Sequence, residues 1–179
     1  MVAHIEEQLG SLDICVANAG IFHIVKAEEM EPATWKRIID VNLSGAFFTC
    51  QAAAQAMIRQ GNGGAMVLVA SLNAHVAARS PSCAYTVSKG GILTMVRDLA
   101  TEWGRYKIRG NCITPGNMDT DILTRQWREN YQAACEQETV LGRLGRPDEL
   151  QGALVYLASE AASYTTGAEI VVDGVFIIR

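Results

Sequence analysis

The chain has 179 residues, of which 49% are hydrophobic and 19% are charged, a composition typical of one globular domain rather than a disordered chain. The net charge is −4 and the pI is about 5.4, which disfavours nucleic acid or an anionic membrane as the main partner. No apolar stretch approaches the ~18 residues of a membrane span. Residues 1–7 lack the basic and apolar regions of a signal peptide.

Short apolar strands alternate with longer helical stretches along the chain. Pro32 suits the first turn of a long helix, and the glycine-rich run at 61–64 ends that helix. In chain order, the sequence predicts a helix ending at Gly10, a strand at 14–17, a helix at about 32–60, a strand at 66–70, a helix at about 83–106, a strand at 108–113, a polar helix at 120–138, a helix at 147–158 and a strand at 169–172.

The predicted strands are apolar throughout and are separated by helices. Strands of this kind form parallel sheets that helices cover on both faces. The sequence therefore predicts an α/β fold of three layers with right-handed crossovers. No linker or repeat divides the chain, so residues 1–179 are predicted to form a single domain.

Five cysteines and three histidines bear on redox and metal chemistry. The cysteines are odd in number and form no C-x-x-C pair, and no two histidines are spaced as metal ligands. We therefore expect neither a disulfide framework nor a metal site. Buried, reduced thiols in a cytoplasmic protein are the expected state.

Tyr85 and Lys89 are the first candidates for chemistry. They stand four residues apart in a predicted helix and so share one face. An ammonium at that distance lowers the pKa of a tyrosine from about 10 toward the working range, as a tyrosine acid or base requires. The Y-x-x-x-K pattern alone is weak evidence, because it often arises by chance.

Three further polar residues lie near this pair in the predicted fold. Ser71 follows the strand at 66–70, at the sheet edge where ligands bind, and its hydroxyl could contact a substrate carbonyl or simply cap a turn. Asn42 is unfavourable inside a helix, so it is predicted to bind something, either a structural water or a water that relays protons. His75 is interpreted as a surface or packing residue.

Six motifs in this order resemble those of the short-chain dehydrogenase/reductase family. They are Asn18-Ala19-Gly20, Asn42, Ser71, the pair Tyr85 and Lys89, the run I-T-P-G-N-M-D-T at 113–120 and the run T-G-A-E-I-V-V-D-G at 166–174. The C-terminal half most resembles the fungal sorbose reductase and mannitol dehydrogenase branch. Two positions depart from the family pattern: Leu72-Asn73-Ala74 follows the serine, and Val175 replaces a glycine.

The resemblance implies a Rossmann-like fold and hydride transfer between a nicotinamide and a ketone or secondary alcohol, such as a polyol, ketose or secondary-metabolite carbonyl. Tyr85 would donate or accept the proton, and Lys89 would bind the nicotinamide ribose and lower the tyrosine pKa. Ser71 would orient the carbonyl, and Asn42 would hold a water that links Lys89 to solvent. The implied cofactor-binding residues are Asn18, Ala19, Gly20, Tyr85, Lys89, Pro115, Gly116, Met118 and Thr120, and no metal is implied.

The family's cofactor-binding half opens with a strand, a glycine-rich turn and a helix that holds the pyrophosphate. No such glycine-rich motif occurs here, so the chain is expected to be an N-terminally truncated member that lacks the first three strands. The residue that selects between NAD and NADP belongs to that part, and NADP(H) is expected over NAD(H). The strand at 14–17 would then form an edge of the sheet.

Two functions remain open at this point. The first is an NAD(P)-dependent reductase or dehydrogenase that acts on a small carbonyl or alcohol and forms a homo-oligomer of two or four subunits. The second is a catalytically impaired, non-catalytic subunit that assembles with a full-length relative. The helices at 32–60 and 83–106 resemble those through which the family dimerises, which suits either function. Nucleic acid and membrane partners are not expected.

Overall fold

A parallel sheet forms the centre of the fold. The computed structural model describes residues 1–78, 80–120 and 125–178, and gives only the backbone of residues 125–131. Within these residues the sheet has four strands in the order β1-β2-β3-β4, and each neighbouring pair is parallel. The strands are β1 (Ile14–Ala17), β2 (Gly64–Val69), β3 (Ile108–Pro115) and β4 (Glu169–Val172).

Helices connect the strands and cover both faces of the sheet. They are α1 (Val2–Leu9), α2 (Pro32–Ile39), α3 (Gly45–Gln60), α4 (Cys83–Trp103), α5 (Arg125–Glu138) and α6 (Gln151–Ala158). Of the predicted polar helix at 120–138, residues 121–124 lie outside the described part of the chain. Within the described residues, no helix is both long enough and apolar enough to cross a membrane.

The predicted long helix at 32–60 is continuous, but it is not α-helical throughout. A π-helical turn over Asp40–Ser44 joins α2 to α3, and Asn42 lies inside that turn. The predicted helix at 83–106 likewise ends in a 3-10 turn over Gly104–Tyr106. Lys107 follows with φ 60°, which turns the chain into β3.

The core has two parts, one on each face of the sheet. Met66 and Leu68 of β2 pack toward α3 and α4, whereas Val67, between them, packs toward Leu157 of α6. Alternate residues of one strand are thus buried on opposite faces, which is why the strand is apolar at every position. The predicted three-layer α/β architecture is confirmed.

One edge of the sheet is apolar. Among the described residues β1 pairs only with β2, and Ile14 and Val16 remain 48% and 41% exposed. Unpaired strand edges of this kind favour association with another strand. The prediction that residues 14–17 form an edge is therefore confirmed in the described sheet.

Candidate active site

One cavity at the carboxyl ends of the strands gathers most of the predicted site residues. It has a volume of about 240 Å³. The predicted residues that line it are Asn18, Gly20, Ser71, Tyr85, Lys89, Pro115, Gly116, Met118 and Thr120. Asn42 and Ala19 do not line the cavity. The parallel topology accounts for this convergence, because the loops that follow the strands meet at the same edge.

Ser71 fills one of the two roles that the sequence left open, the cap of a turn, and it also lines the cavity. It begins the 3-10 turn Leu72–Ala74, and its Oγ accepts a hydrogen bond of 3.3 Å from the backbone N–H of Asn73. Its hydroxyl also interacts with the side chain of Tyr85, and both residues line the cavity. The serine that caps the turn is therefore in direct contact with the candidate acid.

Burial controls the acidity of Tyr85. The ring of Phe22 packs edge-on against it with centroids 4.9 Å apart. Burial raises the pKa of Tyr85 above its ordinary value, and the hydrogen bond from Ser71 opposes this only in part. The expected lowering by Lys89, whose Nζ lies 5.7 Å from the ring centroid, is not observed, because desolvation of the phenolate dominates.

Lys89 is a buried ammonium with unused hydrogen-bonding capacity. Its Nζ donates a hydrogen bond of 2.8 Å to the carbonyl oxygen of Val69, whereas an ammonium has three donors. Burial lowers the pKa of Lys89 to about 8, and the nearby Cys112 opposes this shift. Because Lys89 also lines the cavity, its remaining donors fit a ligand with paired hydroxyls, such as a ribose.

The burial of Lys89 predicts a pH-dependent stability. Its folded pKa of about 8 lies below the ordinary 10.5, so between these values the folded state binds fewer protons than the unfolded state. The buried charge therefore lowers the free energy of unfolding by its full amount below pH 8. This loss of stability becomes smaller as the pH rises toward 10.5. We expect the free energy of unfolding of Lys89→Met, relative to the parent, to fall by roughly 2 kcal/mol between about pH 7.5 and pH 9.5. Urea titrations at several pH values measure this difference, and a constant difference would contradict the prediction.

Asn42 is tied to a loop of the cavity rather than to the cavity itself. Its Oδ1 accepts from the N–H of Ile21 at 2.8 Å, and its Nδ2 donates to the carbonyl of Ile21 at 2.9 Å and to Ser88 Oγ at 3.1 Å. The π-helical turn brings this side chain inward. Because both amide hydrogens are donated to protein groups, any water at Asn42 must bind to one of its acceptor atoms.

The loop between β1 and α2 forms one wall of the cavity. Asn18 and Gly20 line this wall, and the N–H and carbonyl of Ile21 hold the loop to Asn42. A Cβ at Gly20 would lie 3.5 Å from Asn42 Oδ1 and 3.6 Å from Lys89 Nζ, which are ordinary contact distances. The loop therefore approaches the buried lysine closely.

The turn after β3 forms the opposite wall. The N–H of Gly116 donates to the carbonyl of Val172 at 2.9 Å, which extends the pairing with β4. A Cβ at Gly116 would lie 2.5 Å from Cα of Asp173, so only glycine fits this position. The wall is thus fixed to β4 by backbone contacts that exclude other residues.

Several lining residues were not predicted from the sequence. They are chiefly Phe22, Ile24, Asn73, Ala78, Ser80, Asn117 and Leu150. Asn73 carried the one visible signal, since it belongs to the run that departs from the family pattern after Ser71. Its carboxamide makes no hydrogen bond with the described part of the chain, and it is therefore available to a ligand.

Comparison with known proteins identifies the family. Residues 1–175 match a family model described as enoyl-(acyl carrier protein) reductase. The chain is 41% identical to L-rhamnose 1-dehydrogenase (NAD(P)(+)) of Sphingomonas sp., covering 97% of this chain and 68% of that protein. It is 39% identical to sorbose reductase sou1 of Schizosaccharomyces pombe, and the match covers 98% of this chain and 68% of that protein.

Solved structures agree with these matches. A short-chain type dehydrogenase/reductase from Mycobacterium marinum superposes with a TM-score of 0.96 at 37% identity, covering 99% of this chain and 70% of that one. A gluconate 5-dehydrogenase from Burkholderia cenocepacia, in complex with NADP and tartrate, gives a TM-score of 0.91 at 32% identity. The match covers 97% of this chain and 68% of that one. The chain therefore belongs to the short-chain dehydrogenase/reductase family and is an oxidoreductase of that family. It spans about two thirds of the length of these relatives.

Proposed function

We propose that this protein transfers hydride between NADP(H) and a ketone or secondary alcohol of a polyhydroxylated substrate, a sugar, sugar acid or polyol. The observation that carries the proposal is the contact between the Ser71 hydroxyl and Tyr85 in a cavity that Lys89 also lines. An acid, a hydroxyl donor and a buried cation then line one cavity in which a carbonyl oxygen could bind.

Tyr85 is proposed as the proton donor to the carbonyl oxygen. Its raised pKa keeps the hydroxyl protonated at neutral pH, which suits the direction of carbonyl reduction. In alcohol oxidation the same group must first lose its proton, and the Ser71 hydrogen bond favours that charged form. Ser71 would also orient the carbonyl through its hydroxyl.

The nicotinamide cofactor supplies or accepts the hydride when it is bound. Lys89 and Asn18 would hold its ribose, since Lys89 has donors left and the Asn18 carboxamide makes no hydrogen bond within the described chain. Gly20 would complete that wall, and Ala19 would support it from outside the cavity. The nicotinamide would rest against the turn at 115–120, which includes Pro115, Gly116, Met118 and Thr120. Asn42 would act by fixing the loop at Ile21, and a relaying water would bind at its acceptor atoms.

The preference for NADP(H) and for polyhydroxylated substrates rests on two kinds of support. Solved relatives contain NADP, and one relative is named a probable NADP-dependent mannitol dehydrogenase of Yarrowia lipolytica. Other relatives are named for rhamnose, sorbose and threitol. In this cavity Asn73 offers an unpaired carboxamide and Ser80 a hydroxyl, which suit substrate hydroxyls next to the reacting carbon.

A panel of substrates tests the proposal. Absorbance at about 340 nm reports NADPH or NADH during incubation with L-sorbose, L-rhamnose, D-mannitol, D-threitol and, as a control without vicinal hydroxyls, cyclohexanol. We expect turnover of at least one polyhydroxylated compound, faster with the NADP pair, and slower turnover of cyclohexanol. Equal rates for all compounds would contradict the substrate class. Absence of turnover with every compound would contradict the proposed enzymatic function.

Association between subunits is also proposed, as a homodimer or tetramer in the cytoplasm. Phe48 of α3 and Val87 of α4 are 60% and 46% exposed, and Val155 of α6 is 66% exposed. Apolar side chains exposed on helices of both faces of the sheet favour contact with other subunits. The non-catalytic alternative is assembly with a full-length relative. It is supported by the edge at β1, which among the described residues pairs only with β2 and which a strand of the partner could cover.

A further inference from the structure

A side-chain network outside the cavity joins the turn that begins at Ser71 to the turn after β3. Glu169, the first residue of β4, accepts a hydrogen bond from Thr114 Oγ1 at its Oε1. The same carboxylate oxygen lies 2.6 Å from Nε2 of His75. Glu169 therefore links a residue of β3 to a residue of the turn after β2.

His75 is rigidly connected to Ser71. The 3-10 turn that begins at Ser71 closes with a backbone bond of 2.9 Å from Ala74 N–H to the Ser71 carbonyl, and one of 3.0 Å from His75 N–H to the Leu72 carbonyl. Within so short a turn, fixing one end fixes the other. The His75 side chain is thus attached to the same turn that carries the Ser71 hydroxyl.

Thr114 of β3 is the second residue that Glu169 contacts. It is completely buried and directly precedes Pro115 and Gly116, which line the cavity. A single carboxylate, that of Glu169, therefore holds both the serine turn and the turn opposite it. The His75 and Glu169 side chains are 30% and 22% exposed, so water competes for their hydrogen bond less than at an open surface.

We propose that His75 is a positioning residue: through Glu169 it holds the Ser71 turn at the correct distance from Tyr85 and from the wall at Pro115. His75 does not line the cavity and acts only through Ser71. The kinetic part of this proposal rests on the proposed function, whereas the geometric part concerns the Ser71–Tyr85 hydrogen bond alone and can be tested without turnover.

Nuclear magnetic resonance of the full chain, labelled with ¹³Cζ-tyrosine, tests the geometric part. The Tyr85 signal is assigned as the one that Tyr85→Phe removes, and Ser71→Ala gives its position without the hydrogen bond. We expect His75→Ala to move the Tyr85 signal toward its position in Ser71→Ala, and His75→Gln, which keeps a donor for Glu169, to restore most of the parent position. His4→Ala is the matched control, since His4 also pairs with a glutamate but lies at the exposed surface of α1.

An unchanged Tyr85 signal in His75→Ala would overturn the proposal, whatever the activity of the protein. Glu169→Ala serves as the second variant in case His75→Ala does not fold. It removes the carboxylate oxygen that both His75 and Thr114 contact. The Tyr85 signal should move in this variant too, and a parent-like signal would again overturn the proposal.

A double-mutant cycle tests the kinetic part. We expect His75→Ala to lower kcat/KM about tenfold, chiefly through kcat, because small displacements of a positioned group are costly. In the Ser71→Ala background the same substitution should have no further effect, since the group that it positions is gone. An equal loss in both backgrounds would show that His75 does not act through Ser71. If the parent protein shows no turnover, the proposed function is refuted. The Tyr85 signal then still tests whether His75 positions the Ser71 turn.

Discussion

Replacing Tyr85 with phenylalanine is expected to lower kcat/KM by about 10²–10⁴-fold, the range typical of a lost general acid or base. The phenyl ring keeps the edge-on contact with Phe22, and the substitution removes only the hydroxyl that Ser71 contacts. Because that hydroxyl carries the proton in the proposed reaction, its loss affects the chemical step rather than binding. We therefore expect kcat to fall and KM to change little, as measured in the NADPH assay at about 340 nm.

Tyr156→Phe is the matched control for this prediction. The Tyr156 hydroxyl pairs with Thr165 Oγ1 at 2.9 Å and does not line the cavity. Its removal deletes the same atom from the same residue type and should leave kcat unchanged. Similar kcat values for Tyr85→Phe and Tyr156→Phe would show that the cavity hydroxyl does not move the proton.

Substituting Asn111 with alanine is expected to lower the free energy of unfolding by about 3 kcal/mol. Asn111 is fully buried in β3. Its Nδ2 donates to the carbonyl of Thr165 at 2.8 Å, and its Oδ1 accepts from the N–H of Ala168 at 3.0 Å. Alanine would leave two backbone groups without these partners in a buried setting, and the desolvation cost of both then adds to the lost contacts.

Urea denaturation followed by circular dichroism measures the effect on stability. Asn62→Ala is the control, because Asn62 is an exposed residue of the turn before β2 and makes no comparable contacts. Its effect should stay within about 0.5 kcal/mol, as is usual for surface substitutions. Equal free energies of unfolding for the two variants would contradict the prediction. They would mean that water replaces Asn111 as the hydrogen-bond partner of the Thr165 carbonyl and the Ala168 N–H.

Much of the fold follows from local patterns in the sequence. The apolar run at 66–70 is uninterrupted because β2 is buried on both faces, and this pattern predicts a parallel sheet. The convergence of Ser71 and Tyr85 could be predicted as well, since Ser71 follows β2 and Tyr85 lies in the first turn of the helix that comes next. Family resemblance supplied the roles of these residues, which spacing alone does not provide.

Other features depend on contacts between distant parts of the chain. The π-helical turn at 40–44 exists around a side chain that binds the backbone of Ile21, and no local propensity encodes that contact. The pKa of Tyr85 rises because of burial, whereas the sequence shows only the neighbouring charge of Lys89. His75 and Glu169 are too far apart in sequence for their pairing to be predicted, and His75 was therefore interpreted as a surface or packing residue.

The π-helical turn at 40–44 contains one residue more than an α-helical turn needs. A π-helix closes hydrogen bonds between residues five apart, whereas an α-helix closes them between residues four apart. Deleting one residue there would convert the turn into an ordinary α-helical turn and leave α3 close to its present orientation relative to α2, so Ala53 and Met57 would still face the core. The extra residue is therefore dispensable for the helix itself, and its deletion would instead cost the contact between Asn42 and the loop at Ile21.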